Sequence, residues 1–390
     1  MKFRTMVIHA GRVADTTNTP LNTPLYLSST FSYPSTEAGK ARFSGQEPGY
    51  FYSRMGNPTV TDLEVKLAAL EGADSAMAVS SGMAATSSTL YALTNHGDEV
   101  AFVAPLYGGT DAFLQQTLTR AGVTLTSYAS DDDLLANIKP NTKVILFEPL
   151  TNPTLKVVDT RKVVAAAKKV GALTVCDNTF YTPYLFRPLA LGVDVVVHSA
   201  TKYLCGHGDV IAGVIAGGET LMQKIRTVAA KHIGSTISPS DAYLLLRGLK
   251  TLPLRMDAHI AGAAKVADYL SQQAGIKTVY FPGLSDHPGH AVVSDTVGHY
   301  GAMISFELEG GFVAVAKLLD QLKLFTQAVS LGDLESLICH PASTTHAIMS
   351  EADRLASGVT EGLVRVSIGV EDADDLIVDF KQAFAQALGA

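Results

Sequence analysis

Between residues 58 and 250 the chain alternates short, almost wholly apolar runs with longer stretches that have the spacing of amphipathic helices. Apolar runs without polar alternation are typical of strands that are buried on both faces. Because helical stretches separate the runs, the pattern predicts an α/β fold, in which a mainly parallel sheet carries helices on both sides. The runs are residues 76–79, 100–103, 144–147, 173–176 and 195–197.

The two ends of the chain differ from this central part in composition and in hydrophobic periodicity. Residues 1–55 are rich in Thr, Pro, Ser and aromatic residues with little periodicity, which predicts an extended arm that packs on something, a second subunit being one candidate. Residues 56–250 would then form the α/β domain. Residues 251–390 combine helical periodicity with two apolar runs and a final helix, which predicts a smaller α+β domain.

Composition narrows the classes of function. The net charge is −7 and no basic tract occurs, so we expect no nucleic-acid partner. The apolar runs are shorter than the roughly 18 residues of a membrane span, and the start of the chain lacks the pattern of a secretory signal. Three widely spaced cysteines indicate reduced thiols, and together these features predict a cytoplasmic protein.

A lysine preceded by two small hydroxyl residues follows the apolar run 195–197. Lys202 comes after Ser199 and Thr201 and before the glycine-rich residues 206–208. A buried lysine loses its proton readily and can form a Schiff base with a carbonyl, while hydroxyls suit a phosphate. Pyridoxal phosphate supplies both groups. A surface lysine beside a turn of small residues fits these positions equally well.

Two further features lie at predicted strand ends, where ligands bind in such folds. Asp177 could hold the protonated ring nitrogen of a pyridine cofactor, although a turn aspartate is an alternative. Ser81, Gly82 and Met83 follow the run 76–79 and open a helical stretch, which suits either an anion site or an ordinary helix cap.

Other classes of site receive less support from the sequence. Neither the glycine fingerprint of dinucleotide-binding folds nor that of P-loop proteins occurs. A metal-dependent hydrolase is a third possibility, but its candidate ligands have no usual spacing. Those candidates are His198, His207, Asp209 and Asp177.

Taken together, these features and their surrounding motifs resemble the cysteine and methionine metabolism family of pyridoxal-phosphate enzymes. The family includes cystathionine synthases and lyases, methionine γ-lyases and homoserine-ester sulfhydrylases. The resemblance covers nearly the whole chain and implies the type I fold of pyridoxal-phosphate-dependent transferases, which is the aspartate aminotransferase-like fold. The matching motifs are residues 52–59, 81–83, 106–110, 177–180, 198–208 and 247–252.

The resemblance implies a role for each cofactor-binding residue. Lys202 would bind the cofactor and later move protons, and Asp177 would pair with the pyridinium. Tyr107 would stack on the ring and protonate the departing thiolate, with Arg54 as one of the assisting cations. Tyr52 and Arg54 would reach the phosphate of the neighbouring subunit, which makes the active unit a homodimer, usually paired into a homotetramer. The phosphate would otherwise be held by Ser81, Gly82, Met83, Ser199 and Thr201.

Substrate binding is implied for a second group of residues. An arginine in an apolar strand needs an anionic partner, which from the sequence alone is either a buried acid or a ligand carboxylate. By resemblance, Arg365 would bind the substrate carboxylate with Asn152 and Ser330 alongside.

The choice of substrate depends on two positions that disagree. Cystathionine enzymes tend to have a glutamate where this chain has Val329, and a valine suits a short thioether such as methionine. Methionine γ-lyases usually have a cysteine where this chain has Gly109, and Lys-Asp where it has Lys231 and His232. Val329 weighs more, because a missing charge partner rejects a substrate strongly.

The resulting hypothesis is a carbon–sulfur lyase that catalyses α,γ-elimination of L-methionine or L-homocysteine to 2-oxobutanoate, ammonia and a thiol. The alternatives within the family are a cystathionine γ-lyase and a γ-replacement transferase of the cystathionine γ-synthase or O-acetylhomoserine sulfhydrylase type.

Overall fold

The structure is a computed structural model that describes residues 1–11, 20–347 and 349–388. Residues 12–19, which belong to the predicted N-terminal arm, lie outside the described residues. The described part of the arm is not wholly extended, since it contains helices α1 (Phe3–His9) and α2 (Thr36–Phe43). Many of its apolar side chains are exposed, among them Leu21, Leu27, Tyr33, Phe43 and Tyr52.

The larger sheet confirms the predicted α/β fold. Its strands are β1 (Ser75–Val79), β2 (Glu99–Val103), β3 (Thr124–Tyr128), β4 (Thr142–Phe147), β5 (Leu173–Asp177), β6 (Val195–Ser199) and β7 (Gly213–Gly217). They lie in the order β1-β7-β6-β5-β4-β2-β3, in which β7 is antiparallel to both neighbours and the other pairs are parallel. Strands β1, β2, β4, β5 and β6 therefore end at the same edge of the sheet.

Helices connect these strands and cover both faces of the sheet. Two of them, α3 and α7, end at Gly72 and Gly171, whose φ of 73° and 71° is the left-handed conformation typical of glycine at a helix end. The helices of this part are α3 (Pro58–Glu71), α4 (Gly82–Leu93), α5 (Gly108–Phe113), α6 (Asp131–Asn137), α7 (Thr160–Val170), α8 (Thr182–Leu185), α9 (Glu219–Arg226) and α10 (Pro239–Leu249). Two π-helical turns, Leu114–Leu118 and Thr227–Ile233, extend α5 and α9.

The smaller sheet follows residue 250 and is mostly antiparallel. Its strands are β8 (Ile276–Tyr280), β9 (Met303–Leu308), β10 (Thr326–Gln327), β11 (Leu337–Cys339) and β12 (Leu363–Ser367), in the order β10-β11-β12-β9-β8. Its helices are α11 (Leu252–Ser271), α12 (His290–Thr296), α13 (Gly311–Leu319), α14 (Glu351–Ala356) and α15 (Ala373–Leu388). In the described ranges, no helix combines the length and apolar character needed to cross a membrane.

One hydrophobic core joins the two sheets. Its buried residues extend from Val7 in α1 to Phe384 in α15. The division into domains at residues 55 and 250 therefore stays a prediction, although the two sheets do lie on either side of residue 250.

Candidate active site

A cavity of about 590 Å³ opens at the edge where the parallel strands end. It is bounded on the other side by the segment between β10 and β11 and by β12 of the smaller sheet. The structure thus brings together side chains that are far apart in the sequence. The predicted site residues that line it are Ser81, Gly82, Met83, Tyr107, Asn152, Asp177, Ser199, Thr201, Lys202, Val329, Ser330 and Arg365.

Lys202 lies in the turn after β6, with its amine inside the cavity. Its Nζ donates a hydrogen bond to Ser330 Oγ at 2.8 Å. Burial and the nearby charge of Arg365 lower the pKa of this lysine to about 8, against the opposing effect of Asp333. With this pKa, roughly a tenth of the amine is neutral at pH 7, and the neutral form is the one that can attack a carbonyl or accept a proton.

The start of α4 provides a place for an anion. Ser81 caps this helix, since its side chain accepts from Ala84 N at 3.0 Å and its carbonyl accepts from Ala85 N. The first N–H groups, those of Gly82 and Met83, remain for a ligand. Gly82 is required by close packing, because a Cβ there would lie 2.6 Å from Ser199 Cβ.

Asp177 is the last residue of β5 and faces the same cavity. Its Oδ1 accepts hydrogen bonds from the backbone N and the hydroxyl of Thr179, at 3.1 and 2.5 Å. Burial raises the pKa of this carboxyl, whereas Thr179 and the nearby His198 lower it. Because both hydrogen bonds go to Oδ1, Oδ2 is left for a cationic group in the cavity.

Arg365 is 3% exposed and lies in the middle of β12. Its guanidinium donates to Asn152 Oδ1 at 3.1 Å and to the carbonyl of Ser330 at 3.0 Å. Both acceptors are neutral. In the described part of the chain, no carboxylate forms an ion pair with Arg365. Of the two partners that the sequence left open, this arrangement favours a ligand carboxylate.

Ser330 connects Lys202 with Arg365 through an unusual backbone conformation. Its φ is 111°, a region that a residue with a side chain rarely adopts, at a cost of about 1–3 kcal/mol. In this conformation its hydroxyl meets Lys202 while its carbonyl meets Arg365. The strained residue therefore fixes the amine and the guanidinium relative to each other.

Three predicted site residues do not line the cavity. A Cβ on Gly109 would lie 2.6 Å from Cε1 of Tyr107, so this glycine provides the space for the tyrosine ring. Tyr52 and Arg54 lie outside the cavity of their own subunit, and Arg54 instead donates to the carbonyl of Ala230 at 2.9 Å.

The candidate metal ligands do not share a site. His198 and Glu71 are both buried and hydrogen-bonded to each other, and His207 Nδ1 contacts the carbonyl of Cys205 at 2.7 Å. Across the ranges that the structure covers, no group of three or more metal-ligating side chains is arranged to hold an ion.

Sequence reasoning missed Glu148, which lines the cavity and accepts from Tyr107 N at 2.6 Å. Burial, with the charge of Asp177, raises the pKa of Glu148 to about 8, and the N–H groups of Tyr107 and Asn152 oppose this. The available signal was the one that marks Asp177: an acid directly after an apolar run. Thr179, which holds Asp177, was missed as a site residue because its hydroxyl suits any turn.

Comparisons with known proteins agree with this geometry. The family model described as Cys/Met metabolism PLP-dependent enzyme matches residues 4–385. An L-methionine gamma-lyase from Fusobacterium nucleatum subsp. polymorphum is 46% identical over 97% of this chain and 96% of its own. A cystathionine gamma-lyase from Bacillus subtilis is 42% identical over 98% and 99%. The crystal structure of cystathionine gamma synthase from Xanthomonas oryzae pv. oryzae in complex with cystathionine has a TM-score of 0.94 and 40% identity, covering 100% and 99%.

The cavity residues fit the cofactor of that family. Lys202 offers a partly neutral amine for the aldehyde of pyridoxal 5′-phosphate, the free N–H groups of α4 suit its phosphate, and Asp177 Oδ2 suits its ring nitrogen. The predictions of fold, family and cofactor are confirmed. The chain belongs to the Cys/Met metabolism family of enzymes that depend on pyridoxal 5′-phosphate.

Proposed function

We propose that the chain is a carbon–sulfur lyase that eliminates the γ-substituent of L-methionine or L-homocysteine, releasing 2-oxobutanoate, ammonia and a thiol. The observation that carries this proposal is the chemistry of the cavity wall. In the described part of the chain, the only carboxylates that line it are Glu148 and Asp177, and Val329 stands beside Ser330. The distal ammonium of cystathionine thus finds no acid at the position of Val329, whereas an S-methyl group suits the valine. The L-methionine gamma-lyase from Fusobacterium supports the same choice.

Each residue of the cavity has a separate role in this reaction. When bound, the cofactor supplies a carbonyl for the substrate amine and an electron sink for the charge that develops at Cα. Arg365 and Asn152 bind the substrate carboxylate and so fix the orientation of Cα. Lys202, held by Ser330 and partly neutral, takes the Cα proton. Tyr107 lies at the cavity wall, where its hydroxyl can protonate the departing sulfur.

Two other activities have relatives to support them. Similarity to the cystathionine gamma-lyase from Bacillus subtilis supports elimination from cystathionine as an alternative. Similarity to the Xanthomonas gamma synthase supports replacement of an activated homoserine ester. The three activities differ in their products. Purified enzyme should release 2-oxobutanoate and methanethiol from L-methionine without an added thiol. Absence of both products, together with turnover of a homoserine ester that requires added thiol or sulfide, would contradict the proposal.

Exchange of Val329 for glutamate tests the specificity argument directly. The side chain is 55% exposed at the cavity wall, so a longer residue can be placed there without overpacking the core. A charge-assisted hydrogen bond contributes about 1.5–3 kcal/mol, so kcat/KM for cystathionine should rise about tenfold or more in Val329→Glu. Val329→Gln is the matched control, which adds similar volume without charge. An equal gain in both variants would assign the effect to shape.

We also propose that the active unit is a homodimer, assembled further into a homotetramer, with each active site completed by its partner. The support is the placement of the arm: Tyr52 and Arg54 do not line the cavity of their own subunit, and several apolar side chains of the arm are exposed. Exposed apolar side chains in such number are typical of an interface between subunits.

A heterodimer tests the composite site. One subunit carries Arg54→Ala and the other Lys202→Ala, each with a different affinity tag for isolation. If Arg54 acts across the interface, one of the two sites is intact, and roughly half of the wild-type activity should remain. If Arg54 acts within its own subunit, both sites are defective and the heterodimer is as inactive as either parent.

We further propose a cytoplasmic location. The three cysteines, Cys176, Cys205 and Cys339, are free and buried in the structure. Free thiols are usual in a reducing compartment. Fractionation of cells that express a tagged chain tests this, and recovery outside the cytoplasmic fraction would contradict it.

A further inference from the structure

Glu148 is a cavity residue to which the reaction assigns no role. It follows β4 directly, is 6% exposed and faces the space that the cofactor would fill. In the part of the chain that is described, it forms no ion pair with a lysine or an arginine. A buried carboxylate without a cationic partner is costly unless it takes up a proton or accepts several hydrogen bonds.

Backbone N–H groups from two loops of the site interact with this side chain. Glu148 Oε1 accepts from the backbone N of Tyr107 at 2.6 Å, just before α5. The backbone N–H of Asn152, whose side chain holds Arg365, also interacts with this carboxyl and lowers its pKa. Glu148 therefore holds the backbone of the predicted ring-stacking residue and interacts with that of the residue beside the substrate carboxylate.

A second acid lies directly beside Glu148. Phe147 of β4 pairs with Cys176 of β5, so the next residues, Glu148 and Asp177, stand at equivalent positions on adjacent strand ends. Two like charges this close do not both ionise easily. Burial, with the charge of Asp177, raises the pKa of Glu148 to about 8.

Other ionisable groups surround this pair on the neighbouring elements. They are Tyr107 before α5, Cys176 in β5, His198 in β6, Lys202 after β6 and Arg365 in β12. Lys202 and Arg365 can both carry a positive charge, but among the described residues neither forms an ion pair with Glu148, since Lys202 donates to Ser330 and Arg365 donates to Asn152 and Ser330. Neither cation therefore neutralises Glu148, and a bound proton is left to do so.

We propose that Glu148 is a positioning residue that stays protonated in the working enzyme, so that the acid pair carries one negative charge and that charge resides on Asp177. One charge matches the single positive charge of a protonated ring nitrogen. The neutral Glu148 keeps the Tyr107 and Asn152 loops in place without competing for that cation. This inference rests on the cofactor, whichever sulfur amino acid proves to be the substrate.

Two isosteric substitutions separate the members of the pair. Glu148→Gln retains one acceptor and one donor, as in a protonated acid, whereas Asp177→Asn removes the charge that should hold the ring nitrogen. In the holoenzyme at pH 7, Glu148→Gln should keep the dissociation constant of pyridoxal phosphate within about threefold of wild type, while Asp177→Asn should raise it by about tenfold or more. Glu148→Ala should raise KM for the substrate, and glutamine at that position should restore it.

Infrared difference spectroscopy detects the protonated carboxyl group of Glu148 directly. The stretching band of a protonated carboxyl group should be present in the wild-type holoenzyme at pH 7 and absent from Glu148→Gln. The proposal is overturned if that band is unchanged in Glu148→Gln, or if this variant loses the cofactor as severely as Asp177→Asn. Both measurements are independent of methionine turnover, so failure of the proposed substrate would leave them unaffected.

Discussion

Replacement of Lys202 by alanine is expected to abolish turnover and the covalent attachment of the cofactor together. Burial brings the pKa of its amine down to about 8, and a hydrogen bond to Ser330 holds the amine in the cavity. Loss of a residue that acts both as nucleophile and as proton carrier should lower kcat on the order of 10⁴-fold. The measurement combines 2-oxobutanoate release with mass mapping after borohydride reduction, which should find the pyridoxyl group on Lys202 in the wild-type chain.

The matched control is Lys224→Ala, which removes an exposed lysine from α9. That variant should keep wild-type absorbance and turnover. A Lys202→Ala variant that still carries the pyridoxyl group on another lysine after reduction would show that the anchoring residue is assigned wrongly.

Replacement of Arg365 by alanine is expected to produce the second largest loss. The guanidinium is 3% exposed and is held by two neutral oxygens, so its charge remains for the substrate carboxylate. Truncation of one partner of a buried charge pair costs about 2–5 kcal/mol, which corresponds to a drop in kcat/KM of about 30-fold to several thousandfold. Steady-state kinetics with L-methionine measure this loss.

Arg365→Lys provides the graded control. Lysine keeps the charge but lacks the planar fork that reaches Asn152 and Ser330 at the same time, so an intermediate loss is expected. Cofactor absorbance should stay near wild type in both variants. If kcat/KM is unchanged in Arg365→Ala, the substrate carboxylate binds elsewhere.

The sequence predicts the central sheet well because buried strands are short apolar runs, which can be recognised without any tertiary information. Two strands escape that rule. β3 is an edge strand with exposed positions, and β7 (Gly213–Gly217) begins and ends with glycine, which interrupts the apolar signal. Its first glycine is required by packing, since a Cβ at Gly213 would lie 2.0 Å from the carbonyl of Ser81.

The site follows from the sequence where parallel topology alone brings residues together. Lys202 and Ser81 follow strands and Asp177 ends one, and strands that end at one edge place these residues around one cavity. Val329 and Ser330 lie in the segment between β10 and β11, so only the resemblance to a family indicated their place. The strained backbone of Ser330 and the pairing of Glu148 with Asp177 depend on tertiary contacts that no local pattern contains.

In the proposed homodimer, the N-terminal arm would pack on the second subunit. Its aromatic residues indicate packing, but the chain by itself leaves Tyr33, Phe43 and Tyr52 exposed. The contact that Arg54 makes with the carbonyl of Ala230 holds the guanidinium outside its own cavity. The sequence can therefore indicate that the arm forms an interface, but the contacts across the proposed interface involve a second chain and cannot be derived from one chain alone.

A competition assay distinguishes L-methionine from L-cystathionine as the preferred substrate. The purified enzyme is given equimolar L-methionine and L-cystathionine in one vessel, and the methanethiol and cysteine released are measured over time. Because product ratios in competition report the ratio of kcat/KM, methanethiol should predominate. Cysteine as the main product would contradict the proposed preference and would identify cystathionine as the better substrate.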